Sequence, residues 1–217
     1  LTGKGQTRTG RHPGLRTVVT QGQGESNIGQ VKVTMPRSVA LDPHNTVGTT
    51  RVCDYDASLR ADCPENTIIG NATAITPVLD KPLSGPVYLV QGIKFGKAGN
   101  RIRTTPSLLV KLRGQVAIDL RGQTSTQRGS NLLVTTFPAV PDAPVSKFTL
   151  SVKGGSKGIL VVTATREGKI DICASRQIAA VDTHGHNGRQ TAYRTPVRTP
   201  CAKAPKAHRV KRGTKPR

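Results

Sequence analysis

The chain has 217 residues, 35% of them apolar, and a formal net charge of +21. This length suits one domain of the β-sandwich type or two small domains, and the apolar fraction is below the roughly 45–50% usual for globular proteins. No stretch of 18 apolar residues occurs, which excludes a membrane-spanning helix. Nucleotide-binding and serine-hydrolase motifs are absent and carboxylates are scattered, so we expect no enzymatic activity and no cofactor.

Residues 1–14 have no hydrophobic period and are interpreted as an N-terminal basic arm or linker whose deletion would spare the fold. Patterning begins at residues 15–20, and Val31, Val33 and Met35 then alternate with polar residues until Pro36. Such alternation, bounded by Gly and Pro, predicts half-buried strands. Residues 37–66 are predicted to be mostly loop, with a short helical turn at 56–60.

Further strands are predicted at 67–76, 86–91, 107–113, 115–120, 131–137, 147–153, 159–164, 169–173, 176–181 and 190–195. Their clearest alternating faces are Leu108/Val110/Leu112, Val116/Ile118/Leu120 and Phe148/Leu150/Val152. Glycines at 154–158 predict a hairpin loop between 147–153 and 159–164, and the prolines of 137–144 predict a crossover. The pattern predicts an all-β antiparallel sandwich, Ig-like or jelly-roll-like, with about ten short strands over residues 15–201 and a basic tail at 202–217.

Four cysteines occur: Cys53, Cys63, Cys173 and Cys201. Their even number and the lack of metal-type spacing indicate disulfides, which persist outside the reducing cytosol. Pairing the first with the second and the third with the fourth would close one short and one medium loop, although the sequence leaves the pairing open. We therefore expect an extracellular or cell-surface protein.

Two other motifs have competing interpretations. His184 and His186 have a spacing that could bind a metal in a strand, but the surrounding turn formers favour an exposed hairpin tip. Four residues, Asp54, Asp56, Ser58 and Asp62, resemble part of a calcium loop that lacks its glycine and its terminal glutamate. A solvated acidic loop with a helix cap is the better interpretation, so we expect no metal site.

Basic residues are concentrated in the tails, because residues 1–16 carry four and residues 199–217 carry seven, with no acid in either segment. Such charge favours anionic partners. The tails have no aromatic residue for stacking on bases, which argues against sequence-specific nucleic acid as a partner. The candidate polyanion-binding or assembly residues in the C-terminal tail are Lys203, Lys206, Arg209, Lys211, Arg212, Lys215 and Arg217.

Several sequence blocks follow one another in an order that resembles a known family. They are 31–41, 63–64 with 69–70, 76–79, 82–89, 109–114, 137–138, 145–150, 154–155 and 158–160, followed by Cys173 and Cys201. The order, over roughly 15–201, resembles a largely uncharacterised family of secreted, β-rich surface-protein domains from actinobacteria. The resemblance implies export, a sandwich fold and cysteines paired within the domain, and it transfers no catalytic residue.

Three functions agree with these features. The first is a secreted bacterial structural protein, a self-assembling subunit of an extracellular fibre, sheath or surface layer. Its strand 15–20, with Leu15 and Val18, would contact a neighbouring sheet edge or complete its own domain. The alternatives are a cell-surface module that binds an anionic polymer, such as wall polysaccharide or DNA, and a virion or capsid protein.

Overall fold

The computed structural model of the chain describes residues 1–22, 24–47, 51–163, 168 and 171–201. Over these residues the protein is almost entirely β-structure, with two short helices, α1 (Pro43–Thr46) and α2 (Tyr55–Leu59), and a 3-10 turn at Glu65–Thr67. The strands are β1 (Leu15–Thr20), β2 (Ile28–Thr34), β3 (Val39–Leu41), β4 (Ile68–Ile75), β5 (Leu83–Phe95), β6 (Arg101–Leu112), β7 (Ile118–Thr126), β8 (Leu133–Phe137), β9 (Lys147–Val152), β10 (Leu160–Val162), β11 (Ile178–Gly185) and β12 (Gln190–Pro196).

Ten of these strands form one antiparallel sheet in the order β1-β9-β4-β5-β6-β7-β8-β2-β11-β12, and the sheet curls into a half-barrel. Strands β3 and β10 form a separate antiparallel ribbon. The all-β antiparallel prediction with about ten strands is confirmed, and the curled sheet is compatible with a β-sandwich.

The main core lies on one face of the large sheet; the opposite face is called the convex face, and the face that carries the main core is called the concave face. Leu89, Val87 and Val110 of the central strands are fully buried there. Val39 of β3 and Leu160 of β10 belong to the same cluster, so the two-stranded ribbon covers this face. Because the chain has no Trp and only three Phe, aliphatic side chains supply most of the buried apolar area that drives folding.

Most predicted strands are confirmed. The face of Leu108, Val110 and Leu112 is buried as the alternation predicts. The prolines of 137–144 connect β8 to β9, which stand far apart in the sheet, so the predicted crossover is confirmed. The short helical turn is also present as α2.

Some boundaries are wrong. Strand β3 was expected to be loop, and β7 begins at Ile118, which leaves Val116 45% exposed. Two residues of the predicted strand 169–173 lie outside the described residues, and the described part, 171–173, contains an isolated bridge of Asp171 to Arg8.

The predicted hairpin between 147–153 and 159–164 is wrong. Strand β9 lies between β1 and β4, which occupy both of its edges, and β10 pairs with β3 instead. The glycine loop between them bonds to the N-terminal segment, where the Gly155 N–H donates to the His12 carbonyl at 2.9 Å.

Residues 1–14 pack against the rest of the domain. The side chain of Pro13 is fully buried, and His12 Nε2 lies 2.7 Å from Asp42 Oδ2. Backbone bonds join Gly10 to Val162 and Thr7 to Ile172. The segment is therefore packed against the domain and is not the free arm expected from the sequence, whereas the effect of deleting it on the fold stays a prediction.

Candidate functional site

Two disulfides close the loops considered in the sequence. Cys53 pairs with Cys63, with the Cα atoms 5.3 Å apart, and Cys173 pairs with Cys201 at 5.7 Å. Two bridges in a chain of this size are typical of proteins from oxidising compartments.

The first disulfide is part of a second, smaller core on the convex face of the sheet. Cys53, Tyr88, Val90 and Leu109 are buried there, with Ala57 of α2 packed against them. Two cations fasten the same loop to the sheet: Lys111 Nζ donates to the Ala61 carbonyl and Arg121 Nη2 to the Ser58 carbonyl, each at 2.7 Å. The central strands are therefore covered on both faces.

The end of the β5–β6 hairpin projects beyond its neighbouring strands. β4 pairs with β5 only as far as Tyr88, and β7 pairs with β6 only from Ser107 onward. The projecting part carries Lys94, Lys97 and Arg103, which have no acidic partner among the described residues.

Strand β1 forms one outer edge of the large sheet. Its last ladder bond runs from the Gln21 N–H to the Ser146 carbonyl at 3.1 Å. Since bonded and non-bonded pairs alternate in an antiparallel ladder, Arg16, Val18 and Thr20 direct their backbone N–H and C=O groups away from β9. No described strand pairs with this side of β1, although Gly14, directly before the strand, exchanges two backbone bonds with Thr2 on the same side.

The two sequence candidates on β1 lie on opposite faces. Leu15 packs against the main core, whereas the Val18 side chain is 46% exposed on the convex face. Strand 15–20 completes its own sheet through β9, so only its outer side and Val18 are available to a neighbour.

Strand β12 forms the other edge. Two ladder bonds, both 2.8 Å, show which residues of β12 bond to β11: the Gly185 N–H donates to the Arg189 carbonyl, and the Val197 N–H donates to the Gln177 carbonyl. The outward-directed backbone groups therefore belong to Gln190, Ala192 and Arg194, and Pro196, next in this series, has no N–H to donate. Six of the seven residues of β12 are exposed.

A shallow groove of about 410 Å³, the β1–β9–β4 groove, crosses three strands on the convex face. This volume lies at the small end of ligand sites. The register places the lining residues in rows across the strands, with half-buried Thr73, Thr149 and Ser151 as its floor. The exposed residues of its rim are Arg16, Asn71, Ile75 and Lys147.

The polar side chains of the groove have no partner among the residues that the structure describes, either by hydrogen bond or by ion pair. No acidic side chain lines the groove. Its two cations stand at opposite ends, because Arg16 of β1 lies opposite Ser151 of β9, four residues along β9 from Lys147. Four residues along a strand correspond to about 13 Å. The groove can therefore accept hydrogen bonds, donate them and attract negative charge.

The two motifs with competing interpretations have structural explanations. His186 lies in the exposed turn between β11 and β12, as the turn formers predict, and its Nε2 is 3.0 Å from the Val140 carbonyl. His184 instead lies within β11 and is half-buried, so the predicted exposed tip is correct only for His186. Asp54 accepts bonds from the backbone N–H groups of Asp56 and Ala57 and caps α2, which confirms the predicted cap. The described part of the chain holds no group of three or more metal-ligating side chains.

The basic residues of the C-terminal tail, from Lys203 to Arg217, lie outside the described residues, so their predicted role stays a prediction. The groove and the β12 edge were missed by the sequence reasoning. The sequence signal for them was the polar, outward-facing residues of each alternating strand, such as Asn71 and Thr73. These residues do not indicate a site until the neighbouring strands are known.

Comparison with known protein families finds no match, and comparisons with curated proteins and with solved structures find none either. The resemblance to secreted actinobacterial domains stays a prediction. Among the described residues, no helix is long and apolar enough to cross a membrane.

Proposed function

We propose that this chain is an extracellular structural subunit whose copies join through β1 and β12. The observation that carries the proposal is a fully antiparallel sheet of ten strands whose edge strands, β1 and β12, each have one side that no described strand pairs with. With an even number of strands, the edge strands run in opposite directions. When two copies stand side by side in the same orientation, the β12 strand of one copy therefore lies antiparallel to the β1 strand of the next. Each added copy extends the sheet.

The faces of the two edges are compatible. The residues of β1 and β12 whose backbone groups point outward all have their side chains on the convex face. Pairing the two edges therefore makes the convex face of one copy continuous with the convex face of the next. On the opposite face, Tyr193 is 49% exposed and would lie beside Leu15 and Val19 of the neighbour. Burying an exposed aromatic ring against aliphatic side chains would add to the backbone bonds.

Charge restricts the register. Placing Val18 opposite Ala192 would also place Arg16 opposite Arg194, and like charges directly opposite each other are destabilising. A shift of two residues keeps the faces matched and separates the guanidinium groups. Head-to-tail contacts of this type form closed rings when the rotation between copies closes and filaments when it does not.

The two disulfides support an extracellular location. They also brace two separate parts of the described domain. One fastens the loop that contains α2 to the central strands, and the other joins Cys201, beyond β12, to Cys173, before β11. A braced domain suits a subunit that works outside the cell.

Electron microscopy and sedimentation of the non-reduced protein test the proposal, with Ala192→Pro as the variant. The wild-type protein should form rings or filaments, and the variant should remain monomeric because it loses an outward N–H without breaking a β11 bond. Ala192→Ser keeps that N–H and should assemble like the wild type. A wild-type protein that is monomeric at every concentration would contradict the proposal.

A further inference from the structure

We propose that the β1–β9–β4 groove binds a segment of an acidic polysaccharide. This site lies on the convex face and does not depend on assembly of the chain. The proposal rests on the chemistry of the lining, the distribution of its charge and its position on a rigid part of the sheet.

The floor is suited to sugar hydroxyls. Thr73, Thr149 and Ser151 lie in neighbouring rows of β4 and β9, where the ladder fixes their backbones. A hydroxyl group both donates and accepts, so a row of them can match the hydroxyls of a sugar in either orientation. Because they have no partner within the described structure, a ligand would not have to displace an internal bond.

The rim is suited to anionic groups. Arg16 and Lys147 are exposed and stand about 13 Å apart along the strands, with the hydroxyl floor between them. Neither cation has an ion-pair partner among the described residues, unlike Arg113, whose Nη1 lies 2.6 Å from Asp119 Oδ1 on the same sheet. Two separated cations favour a polymer with at least two acidic groups over a single small anion.

The lining favours a polysaccharide over a nucleic acid. Binding of single-stranded nucleic acid generally uses aromatic rings on which bases stack, and none of the seven lining residues is aromatic. Ile75, which is 41% exposed at the rim, offers a small apolar surface for the face of a sugar ring. Carboxylates or sulfates on the sugar would account for the cations.

The experiment is a titration of the full-length, non-reduced protein with oligogalacturonate. Binding is measured by calorimetry and by the changes in amide chemical shifts. Arg16→Gln and Lys147→Gln should each weaken binding about tenfold, because each removes a charged hydrogen-bond donor. Thr149→Val keeps the shape and the strand propensity but removes the hydroxyl, and should weaken binding about fivefold. The largest shifts should fall on β4 and β9.

Lys94→Gln is the matched control, since it removes the same charge from the projecting hairpin and should leave the affinity unchanged. Neutral dextran should bind much more weakly than oligogalacturonate. The proposal is overturned if Lys94→Gln is as harmful as Arg16→Gln, if Thr149→Val has no effect, or if a single-stranded oligonucleotide binds equally well in the groove. Absence of oligogalacturonate and dextran sulfate binding at low salt would also overturn it.

Discussion

Arg101 and Asp56 form a two-pronged ion pair, with Nη1 2.7 Å from Oδ2 and Nη2 2.8 Å from Oδ1. The same guanidinium lies 5.8 Å from the centre of the Tyr55 ring, and that ring packs edge-on against Phe95. These contacts fasten the projecting hairpin to α2, which itself lies within the Cys53–Cys63 loop.

This ion pair predicts a measurable titration. The hydrogen bond from Arg101 holds the pKa of Asp56 below its ordinary value of 3.8, with further attraction from Arg101 and Arg60. A carboxylate with a lowered folded-state pKa stabilises the fold above its unfolded pKa and loses that contribution as the pH falls through the folded pKa. In Arg101→Gln, NMR titration should show the Asp56 pKa rising towards 3.8.

Arg103→Gln provides the control for that titration. It removes a cation from the same strand that does not contact Asp56, so the Asp56 pKa should change little. An ordinary Asp56 pKa in the wild-type protein would contradict the ion pair.

The disulfides should contribute directly to stability. Replacing Cys53 and Cys63 together by Ala should lower the free energy of unfolding by about 2.5 kcal/mol, and the Cys173/Cys201 double variant by about 3.5 kcal/mol, because its loop is longer. Urea denaturation of the non-reduced proteins measures both. A double variant as stable as the wild type would show that its disulfide does not stabilise the fold.

Gly70 is predicted to tolerate no side chain. A Cβ atom there would lie 1.9 Å from the Ser151 carbonyl oxygen, at the register shift between β4 and β5. Gly70→Ala should therefore cost about 2 kcal/mol or more of unfolding free energy. Gly22→Ala is the control, since its nearest contact would be the Glu25 side chain at 3.6 Å, and thermal unfolding should separate the two variants.

Deleting residues 1–13 should destabilise the domain itself. The deletion removes the buried Pro13 and the His12 ring that bonds to Asp42 Oδ2. Asp42 also accepts from the His44 N–H and caps α1. Circular dichroism on heating should show a lower melting temperature, and an unchanged one would restore the interpretation of a dispensable arm. Gln6→Ala, which removes only the part-buried bond that Gln6 Oε1 accepts from the His12 N–H, should have a smaller effect.

The sequence predicted the strands well where one face is buried, as in Leu108, Val110 and Leu112, because alternation reports burial directly. It could not predict which strands become neighbours. Residues 159–164 follow β9 in the chain after a suitable glycine loop, yet β9 is paired on both edges and β10 joins β3. That choice depends on contacts distant in sequence.

The candidate sites were likewise predictable only where they depend on one strand and not on which strands become neighbours. The pattern of strand 15–20 predicts Val18 as an assembly residue; its backbone groups point to the outer side of β1, and its role in assembly stays a prediction. The β1–β9–β4 groove combines residues from three separated segments, so Arg16 and Lys147 had no visible relationship before the sheet order was known.

The most direct measurement of head-to-tail assembly mixes two variants, each with one edge blocked. Val18→Pro removes an outward N–H from β1 and keeps β12, whereas Ala192→Pro blocks β12 and keeps β1. Each alone should sediment as a monomer, and a one-to-one mixture should form a dimer and nothing larger. A mixture that stays monomeric, or a single variant that assembles alone, would contradict pairing between β1 and β12.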